Sequence, residues 1–155
     1  MIASPVAKIV LAPREREVLE GLAAGDTLAE VAVGLDIRKT TAAGYLLLAK
    51  NKLYGASDTA AAVAVGFAVE AITQPPLLDP VEWHLLREQR ALVAFIARGL
   101  GPAQMAREQN RPVTDVRADG RELLKSLQAR NRPHLITRAW QFQILTAAQV
   151  TSWLR

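Results

Sequence analysis

Leu11-Ala12-Pro13-Arg14-Glu15-Arg16-Glu17-Val18-Leu19-Glu20-Gly21-Leu22-Ala23-Ala24-Gly25 reads as one amphipathic helix with both ends marked. Pro13 suits a first helical position, where no backbone N–H is needed, and Val18, Leu19 and Leu22 form an apolar stripe. Gly25 tolerates the left-handed conformation that ends helices. Downstream, Asp26 or Thr27 caps a second helix through Val33, with Leu28, Val31 and Ala32 facing inward. Gly34 to Ile37 makes a turn, and Thr40 or Thr41 caps a third helix reaching about Leu53. Ser57 or Asp58 caps a fourth, extending to about Ile72.

The plan then repeats. Thr73-Gln74-Pro75-Pro76 closes the first part, because adjacent prolines remove two backbone donors and disfavour helix before them. Further helices are expected at 82–98, 102–108, 113–128 and 133–145, with a last short turn from Ala147 to Leu154. Pro102 and Pro133 lie near two of the starts. Sliding the sequence by 74 positions lays Leu11 over Leu85, Arg16 over Arg90, Gly25 over Gly99, Ala32 over Ala106 and Leu53 over Leu127. No strand alternation or hairpin signal interrupts the helical period. The expected architecture is all-α: a four-helix unit at 1–74, a Pro-containing linker at 75–80, and a second unit with a C-terminal extension at 81–155.

Composition removes several classes of function. Half of the 155 residues are apolar and 22% are charged, as in globular chains. The absence of cysteine excludes disulfides, thiolate metal sites and cysteine nucleophiles. His84 and His134 have no nucleophile-and-carboxylate spacing around them, so no catalytic residue, metal site or cofactor is expected. Nor does a phosphate loop, dinucleotide fingerprint or calcium loop occur. Apolar runs are too short for a membrane span, and Met1 to Pro5 lacks the makings of a secretion signal, so a cytoplasmic location is expected. Trp83, Trp140 and Trp153 read as core or interface anchors.

The segment from Leu11 to Leu19 resembles the opening of the LuxR/GerE-type helix-turn-helix domain. The resemblance continues through Leu22-Ala23-Ala24-Gly25, Ala29-Glu30-Val31-Ala32, Leu35-Asp36-Ile37 and Lys52-Leu53. A more diverged copy is carried by Gln89 to Val93, Ile96-Ala97-Arg98-Gly99, Ala103 to Ala106, Val116, and Arg130-Asn131-Arg132 through Ala139-Trp140. The resemblance implies a four-helix DNA-binding module, modules that pair through their fourth helices, and a role as a bacterial transcription regulator. Two copies in one small chain depart from the usual arrangement of that family.

Charge separates the halves. Residues 1–74 carry seven basic and eight acidic groups, whereas residues 75–155 carry twelve and seven, a net of +5 that favours a polyanion. On the helix expected at 113–128, Val116, Leu123 and Leu127 make the buried stripe, with Leu124 at its margin. Gly120 sits within that stripe, where it is expected to permit close helix approach. Arg117, Arg121 and Lys125 line up at i, i+4 and i+8, suited to phosphates or guanine edges, and Arg111, Arg130 and Arg132 add charge at the ends. Asp115, Asp119 and Glu122 oppose a phosphate backbone unless they pair with neighbouring arginines or lie away from the duplex.

The third helix of the first unit differs. Ala42, Leu46, Ala49 and Leu53 account for its buried stripe, leaving Leu47 and Leu48 outside it. Ala43 and Gly44 stand where the resemblance implies polar contacts, and only Arg38, Lys39, Lys50 and Lys52 suit phosphate. Leu47 and Leu48 instead suit a protein surface. The fourth helix, around Val63 and Phe67, is apolar on nearly every side and is expected to meet Trp140 and Ile144 of the second unit in a joint core. Packing within one chain gives a pseudo-dimer; exchange between chains gives a homodimer. The expected function is therefore a small transcription regulator that binds double-stranded DNA through its second unit. The alternative is a non-enzymatic adaptor that binds a transcriptional or regulatory protein.

Overall fold

A computed structural model of the chain describes residues 7–79, 85 and 87–154. Among them nine helices follow one another: α1 Pro13–Ala23, α2 Leu28–Gly34, α3 Lys39–Lys52, α4 Thr59–Ala68, α5 Arg87–Ala97, α6 Pro102–Gln109, α7 Val113–Ser126, α8 Arg132–Gln141 and α9 Ala147–Thr151. The architecture is all-α. The expectations for Trp83, His84 and a helix start at 82 lie outside the described residues.

Most helix starts follow from a side chain that satisfies an orphan backbone N–H. Thr27 Oγ1 accepts from Glu30 N (3.2 Å) while Glu30 Oε1 accepts from Thr27 N (2.9 Å), a reciprocal cap for α2. Asp58 Oδ1 accepts from Ala61 N at the head of α4, and Asn131 Oδ1 from His134 N at the head of α8. α3 departs from expectation. It begins at Lys39 after Arg38 without a side-chain cap, so Thr40 and Thr41 lie inside the helix.

Two ends also come earlier than expected. α4 stops at Ala68 rather than Ile72, and α8 stops at Gln141 rather than 145. Glu70 and Gln143 adopt left-handed backbone (φ 58° and 61°), and Ala71 N and Ile144 N fold back onto Gly66 O and Ala139 O. Both closures satisfy orphan carbonyls of the last turn.

One hydrophobic cluster runs through the molecule, from Leu11, Val18 and Leu19 to Leu135, Ile136 and Val150. α1 rests on α2, α3 and α4, while α5 rests on α6, α7 and α8; α4 meets α5, α8 and α9, and α1 meets α8. Val63, Phe67 and Trp140 are buried inside the chain where α4 crosses α8, and the rings of Phe67 and Trp140 lie 5.3 Å apart at 43°. Ile144 is half-buried against the same core. The connector is tied down too, with Leu78 N donating to Gln141 O and Gln141 Nε2 to Pro76 O.

Left-handed residues recur along the chain: Gly25 and Gly99, Asp36 and Asn110, and Tyr54 and Gln128, each pair 74 positions apart. The contacts at the two glycines are reciprocal. Asn131 Nδ2 donates to Gly25 O (3.0 Å), and Ser57 Oγ, 74 positions before Asn131, donates to Gly99 O (3.4 Å). A Cβ at Gly99 would overlap Ser57 Oγ, and one at Gly25 would come within 3.0 Å of His134 Nδ1. Glycine is therefore required at both sites by positive φ and by close approach. Nearby, the buried Thr137 hydroxyl donates to Ala23 O at 2.7 Å.

His134 makes this seam sensitive to pH. Burial, followed by the charges of Arg138 and Arg130, lowers its pKa, and Nδ1 accepts from Arg130 N at 3.1 Å. A histidine kept neutral by folding leaves stability intact above about pH 6.5, the ordinary imidazole value, and erodes it as the pH falls below. The urea midpoint is expected to decline between about pH 6.5 and 5, and His134→Gln should flatten that decline. An equal slope in the variant would assign the loss to other groups.

Candidate nucleic-acid interface

α6 and α7 form a helix-turn-helix pair. Asn110 turns the chain with φ 52°, and Arg111 N closes the turn on Ala106 O at 3.0 Å. Val116, Leu123 and Leu127 are fully buried, which fixes the rotation of α7 and leaves Arg117, Arg121 and Lys125 exposed along one line. Arg117 and Arg121 have no ion pair among the described residues, while Lys125 lies 3.8 Å from exposed Glu122.

The other three basic residues assigned to this face by sequence are held within the chain. Arg111 Nη1 meets Asp119 Oδ2 at 2.6 Å and also donates to Gln109. Arg130 bridges to Asp26 (3.4 Å) and Glu30 (3.3 Å) beside α2. Arg132 Nη2 donates to Leu100 O at 2.7 Å. Each guanidinium already has an acceptor, so these residues differ from Arg117 and Arg121, which have no ion pair among the described residues. Asp119 is neutralised by Arg111, which relieves the acidic face, whereas Asp115 remains exposed.

Sequence periodicity missed the partners of Arg130. Asp26 and Glu30 lie 104 and 100 positions away, and a single-helix reading contains no signal for them.

α2 and α3 form the corresponding pair near the start of the chain. Ala42, Leu46, Ala49 and Leu53 face inward as expected, leaving Leu47 57% and Leu48 49% exposed; Val33 on α2 is 81% exposed. Arg38 and Lys39 are exposed and Lys50 is half-buried. Lys52 is engaged: its Nζ lies 2.7 Å from Oε1 of buried Glu15. Burial pushes the Glu15 carboxyl up, but hydrogen bonds from Lys52 and from the Ala12 N–H outweigh it and hold the group below its ordinary pKa. Of the four cations named for phosphate, Lys52 thus serves to tie α3 to α1.

Residues 9–65 match the GerE model: bacterial regulatory proteins, luxR family. The match spans α1 to α3 and most of α4. The GerE-matched helix-turn-helix is of a kind found in non-enzymatic DNA-binding regulators. No curated protein and no solved structure shows significant similarity to the chain. Among the described residues, no cluster of three or more His, Cys, Asp or Glu is arranged to hold a metal ion, and no helix is long and apolar enough to cross a membrane.

Proposed function

We propose that the chain is a small DNA-binding transcription regulator whose reading surface is the basic face of α7. The observation that carries this reading is the outward, unpaired pair Arg117 and Arg121 on the second helix of a helix-turn-helix, with Lys125 one turn further. Helices of this kind enter the major groove, where guanidinium groups suit guanine edges and phosphates. On this reading α1–α4 and α5–α8 are tandem modules, at 1–74 and 81–155, joined through α4 and α8 as an intrachain pseudo-dimer. The 74-residue recurrence of left-handed positions and the reciprocal ties at Gly25 and Gly99 support it, because a two-fold interface repeats each contact with the roles exchanged. The expected location is the cytoplasm.

Selection from a pool of random duplexes, set against a control without protein, tests the reading. Reproducible enrichment of one sequence is the expected result. Binding that grows with duplex length without enrichment would indicate a coating role, and no binding would reject the DNA reading.

The exposure of Leu47 and Leu48 favours a second reading for the GerE-matched module. In place of a base-reading face it presents an apolar one, suited to a transcriptional or regulatory protein or to a second copy of the chain. Leu47→Ser with Leu48→Ser should then abolish partner binding or self-association while leaving the melting temperature nearly unchanged, since both side chains are exposed.

A further inference from the structure

The inward faces of α3 and α7 share only their last leucine, and only the α7 face carries a glycine. Ala42, Leu46, Ala49 and Leu53 line the first; Val116, Gly120, Leu123 and Leu127, each 74 positions later, line the second. Leu46 is buried, but Gly120 has no side chain, and a Cβ there would meet nothing within 4 Å. Close helix approach, expected at Gly120 from sequence, does not occur. Instead a groove of about 240 Å³ opens beside Gly120, lined by residues of α5, α6, α7 and α8.

Ile96, Met105, Val116, Leu124 and Leu135 give the groove an apolar wall. Its charged lining consists of Arg117, Arg121 and Arg132, with no carboxylate among the lining residues. Arg132 also retains a buried Nε–H without an acceptor, although its Nη2 is satisfied by Leu100. Asp119, next to Gly120 in sequence, is engaged by Arg111, and Glu122, next to Arg121, lies 3.8 Å from Lys125. Apolar cavities of roughly 150 Å³ accept a single aromatic ring, and drug-sized pockets begin near about 300 Å³.

We propose that this groove binds a small monocarboxylate with an apolar body, a short alkyl chain or one ring, whose carboxylate pairs with the arginine rim. The apolar wall takes the body, and guanidinium groups give charge-assisted hydrogen bonds to the carboxylate. A duplex phosphate supplies the charge but has nothing to fill the wall. Arg117 and Arg121 also belong to the proposed DNA surface. The site is nevertheless measured without DNA, and DNA affinity is measured without the acid, so either reading can fail alone.

Octanoate is the probe and octanol its neutral counterpart, titrated into the full chain and followed by amide NMR and thermal midpoint. Octanoate should shift amides around α5, α6 and α7, raise the midpoint and bind at least about tenfold tighter than octanol. Gly120→Leu should fill the groove and weaken octanoate by about tenfold or more, without lowering the protein's own midpoint, because leucine is the better helix former. Arg121→Gln, at an exposed position, should bring octanoate affinity down toward that of octanol. Equal binding of acid and alcohol, undiminished binding by Gly120→Leu, or no octanoate binding at millimolar concentration would each overturn the proposal.

Discussion

Trp140→Ala is expected to lower the thermal midpoint of the whole chain by about 10–15 °C and to melt all the helices together. Trp140 is 5% exposed and packs on Phe67, and α8 touches α1, α4 and α5. Truncating a buried tryptophan costs about 3–5 kcal/mol, because it removes apolar burial and leaves a cavity that neighbours only partly fill. Total stabilities of about 5–15 kcal/mol leave little beyond such a loss, and in a chain of this size each kcal/mol moves the midpoint by roughly 2–4 °C. Circular dichroism gives the midpoint, and hydrogen exchange reports the helices separately. Retained protection in α1–α3 with loss in α5–α8 would mean that the shared core does not couple them. Leu48→Ser supplies the control: it changes an exposed side chain and should stay within about 0.5 kcal/mol.

The second large effect is expected on duplex binding. Removing two phosphate or base contacts in Arg117→Ala with Arg121→Ala should cost about 2 kcal/mol or more, roughly a 30-fold loss of affinity. If both guanidinium groups displace counterions, the slope of log affinity against log salt should also fall by about 1.8. Both side chains are exposed, so folding should survive and the loss can be read as a binding effect. Arg38→Ala with Lys39→Ala, on the helix bearing exposed Leu47 and Leu48, should cost less. Unchanged affinity and salt dependence in the Arg117/Arg121 variant would remove α7 from the interface.

Helix starts were legible where the responsible group is local. Pro13, Thr27, Asp58 and Pro102 mark their helices because caps and missing N–H groups act within three or four residues. The early ends of α4 and α8 were not. Glu70 and Gln143 carry no compositional mark for left-handed backbone, and they adopt it where the chain folds back onto the last turn. The rotation of α7 was legible from Val116, Leu123 and Leu127, and with it the outward line of Arg117, Arg121 and Lys125. The fates of Arg111, Arg130 and Arg132 were not, because long side chains choose acceptors from other segments. Gly120 was misread for a related reason. A helical wheel locates the inward face but cannot say how near the opposing helix comes, and at Gly120 nothing lies within 4 Å of where a Cβ would be.

On the proposed reading, the seam at Gly25 and Gly99 bears on the form of the DNA target. A regulator assembled from separate protomers sheds its second reading head on dilution, whereas the two modules proposed for this chain are linked through its own backbone and would remain together at any concentration. The exposed faces of α3 and α7 are also unlike, with Leu47 and Leu48 on one and Arg117 and Arg121 on the other. On the proposed reading, a palindrome therefore gains nothing from its second half, and one asymmetric stretch of major groove suffices.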